Sequence, residues 1–192
     1  MIEARTFALF DTAIGCCAIA WGRGGIVGVQ LPERDAGATR RRLTRRYRDA
    51  EEGVPLPGIH LAIRDITSLL AGSRTDLTRI TLDMRDVPEF HRAVYTVART
   101  IPAGETMTYG DIARQIGDPG AARAVGQALG SNPFAIVVPC HRVLAANGKT
   151  GGFSASGGVV TKLRLLTIER AQIASDAPSL FDAYGGLPYQ AA

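Results

Sequence analysis

The sequence is short of the residues on which several protein classes depend. Of its 192 residues only three are cysteine, Cys16, Cys17 and Cys140. Two of them are adjacent, so a disulfide framework is excluded and a reducing cytosol is the expected compartment. Histidine is equally scarce. His91 has no second ligand at the i+4 helical spacing and His60 has no cysteine or carboxylate at metal-binding spacing, so no metal is expected. No run of eighteen apolar residues occurs and Met1–Arg5 lacks an apolar leader region, which points to a soluble, unexported protein with no membrane partner. Strong charge is also missing. A formal net charge of +4 does not by itself identify a nucleic-acid partner.

The distribution of charge is more informative than its sum. Between Thr106 and Arg170 there are seven basic residues against three acidic ones. The denser cluster Arg40-Arg41-Arg42, with Arg45, Arg46 and Arg48, precedes Asp49, Glu51 and Glu52 and reads as the solvated face of a helix.

The first 86 residues predict an α/β unit. Thr6–Phe10, Cys16–Trp21 and Gly25–Val29 read as an antiparallel meander with glycine-bearing turns. An Arg-rich helix over about 34 to 48 follows, then a helix in which Ile59, Ile63, Ile66 and Leu70 recur at helical spacing, and Leu77–Met84 alternates like a further strand. Residues 87 to 174 predict a second, mostly α unit. Val87-Pro88-Glu89 opens a helix with an apolar stripe of Phe90, Val94 and Val97. Thr108 caps a short helix over Tyr109–Ile116, and Gly117–Gly120 turns the chain into a second helix ending near Leu129, a helix-turn-helix. That second helix carries Ala121, Ala122, Ala124, Gly126 and Ala128, a face bare enough either to approach a nucleic-acid backbone or to pack tightly on another helix. Residues 175–192 form an Ala-, Pro- and Gly-rich tail.

The residues most suggestive of chemistry are Pro139-Cys140-His141-Arg142-Val143, placed after the apolar stretch Phe134–Val138, which reads as a buried strand. A free thiol with a pKa near 8.5 is only about 3% thiolate at pH 7, so a working nucleophile needs a base or a positive environment. His141 and Arg142 supply one of each. Alone, a Cys-His pair is more often inert packing. Cys16 and Cys17, in the strand-rich region, have no adjacent base.

Three further groups of residues surround that run: Thr106–Ala113, Gly120–Leu129 with Ser131-Asn132-Pro133, and Asn147–Ser154 followed by Lys162–Glu169. In this order and spacing the whole set resembles the O6-alkylguanine-DNA alkyltransferases, or methylated-DNA–protein-cysteine methyltransferases, over about residues 88 to 172. The resemblance implies a ribonuclease-H-like N-terminal scaffold, a winged-helix-like C-terminal part, and irreversible single-turnover transfer of an alkyl group from O6-alkylguanine, and from O4-alkylthymine, in duplex DNA to Cys140. It implies a monomer with no cofactor. His141 would act as base through a bridging water and Glu169 would orient the imidazole. Asn132 would tie the active-site turn, Tyr109 would donate to guanine N3, and Ser154 to the purine oxygen. The carbonyls of Cys140 and Val143 would accept from the exocyclic amine. Arg123 would occupy the space left by the flipped base, with Ala121, Ala122, Ala124, Gly126, Leu129 and Phe153 against DNA or base in a minor-groove docking mode.

Two features depart from the pattern. Phe153 stands where many relatives have tyrosine, and Ser154–Gly158 is about two residues longer than the shortest versions, so Ser156 competes with Ser154 for the base oxygen. Other readings of the same residues are a lesion-binding protein without chemistry, against which Cys140 argues, a cysteine hydrolase using Cys140, His141 and Glu169, which would turn over, and a transcription regulator, for which no sensory module is visible.

Overall fold

The computed structural model describes residues 5–171, so the tail from 175 lies outside the described residues. Three strands, β1 (Arg5–Thr12), β2 (Gly15–Gly22) and β3 (Gly25–Gln30), form the meander. β1 and β2 pair from Thr6↔Trp21 to Thr12↔Gly15, and β2 and β3 from Ala18↔Gln30 to Gly22↔Gly25. Gly25 has φ +123, and a Cβ there would lie 2.8 Å from the Thr81 carbonyl, so the second turn requires glycine. The helix α1 (Ala36–Arg46) is capped by Asp35, whose side chain accepts from Ala38 N at 2.7 Å. The chain then returns as β4 (Ala50–Glu52), parallel to β1, and continues into α2 (Pro57–Leu70). The sheet order is β3-β2-β1-β4. The sheet is therefore mixed rather than wholly antiparallel, because a helix separates β4 from β3 and lets it run in the same direction as β1.

β2 is buried on both faces. Ala18 and Ala20 meet Leu43 and Tyr47 beneath α1, while Cys17, Ile19 and Trp21 face the main core. Burial pushes the Cys17 thiol up to about 12, so it remains an inert packing group.

The segment Leu77–Met84 does not form the expected strand. Its one ladder contact is the isolated bridge Ile26↔Leu82. The reason lies in Arg99, whose Nη2 donates to the carbonyls of Leu77, Thr78 and Ile80 at 3.2, 2.6 and 2.8 Å and bends the segment around one guanidinium.

The remaining elements are α3 (Glu89–Arg99), β5 (Met107–Thr108), α4 (Tyr109–Gln115), α5 (Ala122–Gly130), β6 (Val143–Leu144) and α6 (Gly158–Ile168). Pro88 occupies the N-cap of α3, where its missing N–H costs nothing. Tyr95, 1% exposed, donates from Oη to the Ala128 carbonyl at 2.8 Å and fastens α3 to α5. β5 and β6 pair in parallel, which brings the start of α4 beside the residues that follow Cys140. The buried apolar residues of this half, Val94, Val125, Phe134 and Val138 among them, run continuously into the sheet core. Among the described residues no helix is long and apolar enough to cross a membrane.

The entry into α4 is fixed by a capping box. Thr108 Oγ1 accepts from Asp111 N at 3.1 Å while Asp111 Oδ2 accepts from Thr108 N at 2.7 Å. Thr108→Ala should therefore lower stability by about 1 kcal/mol, seen as an earlier urea midpoint with unchanged slope. No shift in the midpoint would mean that the cap is redundant with the packing of Ile112 and Ala113.

Candidate active site

The loop that carries Cys140 is set by Asn132. Its Oδ1 accepts from Phe134 N at 2.8 Å and its Nδ2 donates to the Val138 carbonyl at 2.8 Å. One side chain thus spans the two ends of residues 134–138 and closes them into a turn, with Val138 N on the Phe134 carbonyl at 2.8 Å. The strand expected here is absent for that reason. Ile136, at the tip, is held at φ 72, a left-handed conformation that is rare for a β-branched residue and is retained because its side chain is buried.

Cys140, His141 and Arg142 form one turn of 3-10 helix rather than an extended segment. His141 and Arg142 are buried and point to the same carboxylate. Glu169, the residue that ends α6, accepts from His141 Nε2 at 3.0 Å and from Arg142 Nη2 at 2.8 Å on Oε1, and from Arg142 Nε at 2.8 Å on Oε2. Arg142 Nη1 also donates to the Ile101 carbonyl at 2.5 Å. Arg142 was expected to supply the positive environment of the thiol, but it is committed to Glu169.

These contacts fix protonation. Burial opposes ionisation of Glu169, but the hydrogen bonds and charges of His141 and Arg142 outweigh it and bring its pKa down to about 2. An ionised carboxylate only accepts, so His141 Nε2 must carry the hydrogen. Burial lowers the imidazole pKa, opposed by Glu169. The neutral ring therefore carries a lone pair on Nδ1, a buried atom with no hydrogen-bond partner among the described residues. Cys140 is partly exposed. Burial raises its pKa, against a hydrogen bond from Asn132 and the charge of Lys162, so at rest it is a thiol that needs a base.

Lys162 is the functional group that sequence reasoning passed over. It is fully buried, its Nζ donates to the Val143 carbonyl at 2.6 Å, and the ammonium lies 5.9 Å from the centroid of the Tyr109 ring. Burial brings its pKa down to about 8, opposed by the charge of Cys140. The available signal was its place on α6, three and four residues before the buried Leu165 and Leu166 and seven before Glu169, a charged residue on an inward stripe.

A cavity of about 380 Å³ beside the thiol is lined by Tyr109, Gly126, Leu129, Gly130, Phe153 and Ser154. Tyr109 is half-buried, and burial with the charge of Cys140 raises its pKa, so the phenol keeps its proton. Gly151, at φ +66, lies so close that a Cβ would be 3.1 Å from Tyr109 Oη. Ser154 is exposed beside Cys140, whereas the Ser156 carbonyl accepts from Thr161 Oγ1 at 2.6 Å. On α5, Arg123 and Gln127 are exposed. The small residues do not share one face as expected, because helical geometry points Ala128 into the core with Val125 while Ala122 and Gly126 flank Arg123 and Ala124 lies on its other side. Ala121 is the N-cap residue of α5. Among the described residues no group of three or more His, Cys, Asp or Glu side chains is arranged to hold a metal ion.

Residues 89–171 match the family described as 6-O-methylguanine DNA methyltransferase, DNA binding domain. A methylated-DNA–protein-cysteine methyltransferase of Mycobacterium tuberculosis is 38% identical over 183 residues, covering 95% of this chain and all of that protein. One from Mycolicibacterium paratuberculosis is 52% identical over 109 residues, 57% of this chain and 64% of that protein. The crystal structure of Mycobacterium tuberculosis OGT in complex with DNA superposes with a TM-score of 0.69 at 35% identity, covering 89% of this chain and 96% of that one.

Removing the Glu169 charge should expose its part in the site. Glu169→Gln leaves Arg142 buried without a counter-ion, and a loss of about 3 kcal/mol is expected. Because folding lowers the Glu169 pKa from its ordinary 4.5 to about 2, the stabilisation is complete above 4.5 and fades as pH falls towards 2. Urea midpoints of the two proteins should thus converge as pH drops through that window. A constant gap would place the stabilisation elsewhere.

Proposed function

The chain belongs to the methylated-DNA–protein-cysteine methyltransferase family, and from that membership we propose that it repairs O6-alkylguanine, and O4-alkylthymine, in duplex DNA by moving the alkyl group irreversibly to Cys140. The observation that carries the reading is the hydrogen-bonded order of the site: Glu169 holds His141 by Nε2, which leaves the Nδ1 lone pair to take the thiol proton through a bridging water. The thiolate so formed displaces the purine from the alkyl carbon. Tyr109 supplies a proton to guanine N3 as the leaving base gains electron density, and Ser154 donates to the oxygen that is released. The Cys140 carbonyl and the second lone pair of the Val143 carbonyl, whose first is taken by Lys162, accept from the exocyclic amine. Because the product thioether has no hydrolytic exit, each molecule acts once.

A stacked base cannot reach the thiol, so the lesion must be extruded. Arg123, exposed on α5, fills the gap in the duplex, while Ala121, Ala122, Ala124 and Gly126 allow close approach from the minor-groove side and Leu129 and Phe153 enclose the base. Residues 1–86 serve as a ribonuclease-H-like scaffold, a reading supported by the order β3-β2-β1-β4 with β4 parallel to β1. Residues 87–171 form the winged-helix-like unit that binds DNA and transfers the alkyl group. We propose that the protein works as a cytoplasmic monomer without a cofactor.

Mass spectrometry after incubation with duplex DNA containing O6-methylguanine should show one methyl-sized increase on the peptide bearing Cys140, and none in Cys140→Ser. Folded protein that turns over many lesions without gaining mass would instead be a hydrolase. Arg123→Ala should slow repair of duplex DNA at least tenfold more than reaction with free O6-benzylguanine, since only the duplex pays the few kcal/mol of extrusion. Equal losses on both substrates would place Arg123 in the pocket or the fold.

A further inference from the structure

Cys140 lies where two cavities meet. The first, about 380 Å³, contains Tyr109 and is the place proposed above for the base. The second, about 340 Å³, shares Gly130, Cys140, Phe153 and Ser154 with it but extends to the N-terminal half, where the end of β3, Leu31 and α1 line it. The residues α1 contributes are Arg42, Arg45 and Arg46. Their charge is poorly compensated. Arg42 Nε pairs with Glu33 at 3.1 Å, Arg46 Nη2 donates to the Ser131 carbonyl at 3.3 Å, and Arg45 makes no hydrogen bond or ion pair with any described residue. The sequence alone had suggested a merely solvated helix face; the fold instead turns part of it towards a cavity that ends at the reactive sulfur.

In an in-line displacement the sulfur approaches opposite the breaking carbon–oxygen bond, so any substituent on the carbon must project to the side. A methyl group has none. A longer alkyl group needs room that the base does not occupy, and the second cavity supplies it. We propose that this cavity receives the distal part of the transferred group, and that Arg42 and Arg45 favour groups ending in an anion, such as carboxymethyl. The proposal rests on Cys140 being the acceptor of alkyl groups from O6 of guanine. In the step itself the Cys140 Sγ–carbon bond forms and the carbon–O6 bond breaks, its electron pair passing to the purine. The thiol proton, taken by His141, is balanced by the proton the purine gains, and the carboxylate leaves unchanged on the cysteine.

The test uses three duplexes, bearing O6-methylguanine, O6-carboxymethylguanine and its neutral isostere O6-carbamoylmethylguanine, each in single turnover with wild type and with Arg42→Gln/Arg45→Gln. The carboxymethyl-to-carbamoylmethyl rate ratio should fall roughly tenfold in the variant, the scale of one charge-assisted hydrogen bond. Taking the ratio cancels the different intrinsic reactivity of the two groups. The O6-methylguanine rate should change less than about twofold, within the range expected of substitutions at exposed positions, and it controls for folding. Arg45→Gln alone, at an exposed and unpartnered site, should move the ratio in the same direction. An unchanged ratio overturns the proposal, as does equal slowing on all three duplexes with weaker DNA binding, which would make the arginines backbone-phosphate contacts. Failure of folded wild type to react with any of the three would overturn the alkyl-acceptor reading itself, and is distinguished by occurring before any arginine is changed.

Discussion

The site depends on one buried carboxylate. Glu169 receives three hydrogen bonds, two from Arg142 and one from His141, and these come from residues consecutive in sequence but 27 and 28 positions away from it. A charge in that position without partners would be expelled or neutralised. With them it stays ionised, assigns the hydrogen of His141 to Nε2, and neutralises a guanidinium that would otherwise be buried alone. The pair also joins the end of α6 to the turn that carries the thiol, so the same contacts that stabilise the fold set the protonation of His141.

The thiol is tuned by opposing effects. Burial disfavours the thiolate, while Asn132 and Lys162 favour it without making it the resting state. A cysteine held as a thiol is less open to oxidation and alkylation than a thiolate. Asn132 takes part a second time, because its two backbone hydrogen bonds close the turn whose tip, Ile136, adopts a left-handed conformation. The local strain is held in place by burial of Ile136 and by that clamp, which fixes where Pro139 directs the chain and hence where the sulfur lies.

The N-terminal half also reaches the surroundings of Cys140. α1 covers one face of the sheet with Leu43 and Tyr47, and in the same helical turns it presents Arg42, Arg45 and Arg46 to a cavity that reaches Cys140. A helix of 3.6 residues per turn has both an inner and an outer side to offer, and here the outer side of α1 lines part of a cavity that contains Cys140.

Much of this was legible in the chain because it depends on local rules. Strand alternation with glycine at the turns gave the meander, apolar spacing gave α2 and α3, and Thr108 marked the start of α4. The succession Pro139-Cys140-His141, with Asn132 before it and Glu169 after, pointed to the chemistry. What the sequence could not contain was set by groups distant along the chain. Arg99 gathers three carbonyls and turns an alternating segment into a loop. Asn132 converts an apolar run into a turn. Glu169 draws Arg142 away from the thiol and leaves Lys162, two turns earlier on α6, as a cation nearby. Periodicity and propensity describe how a segment treats water and its own backbone. Which charge a buried group must answer to is decided only once packing has removed the water, and that depends on the tertiary structure.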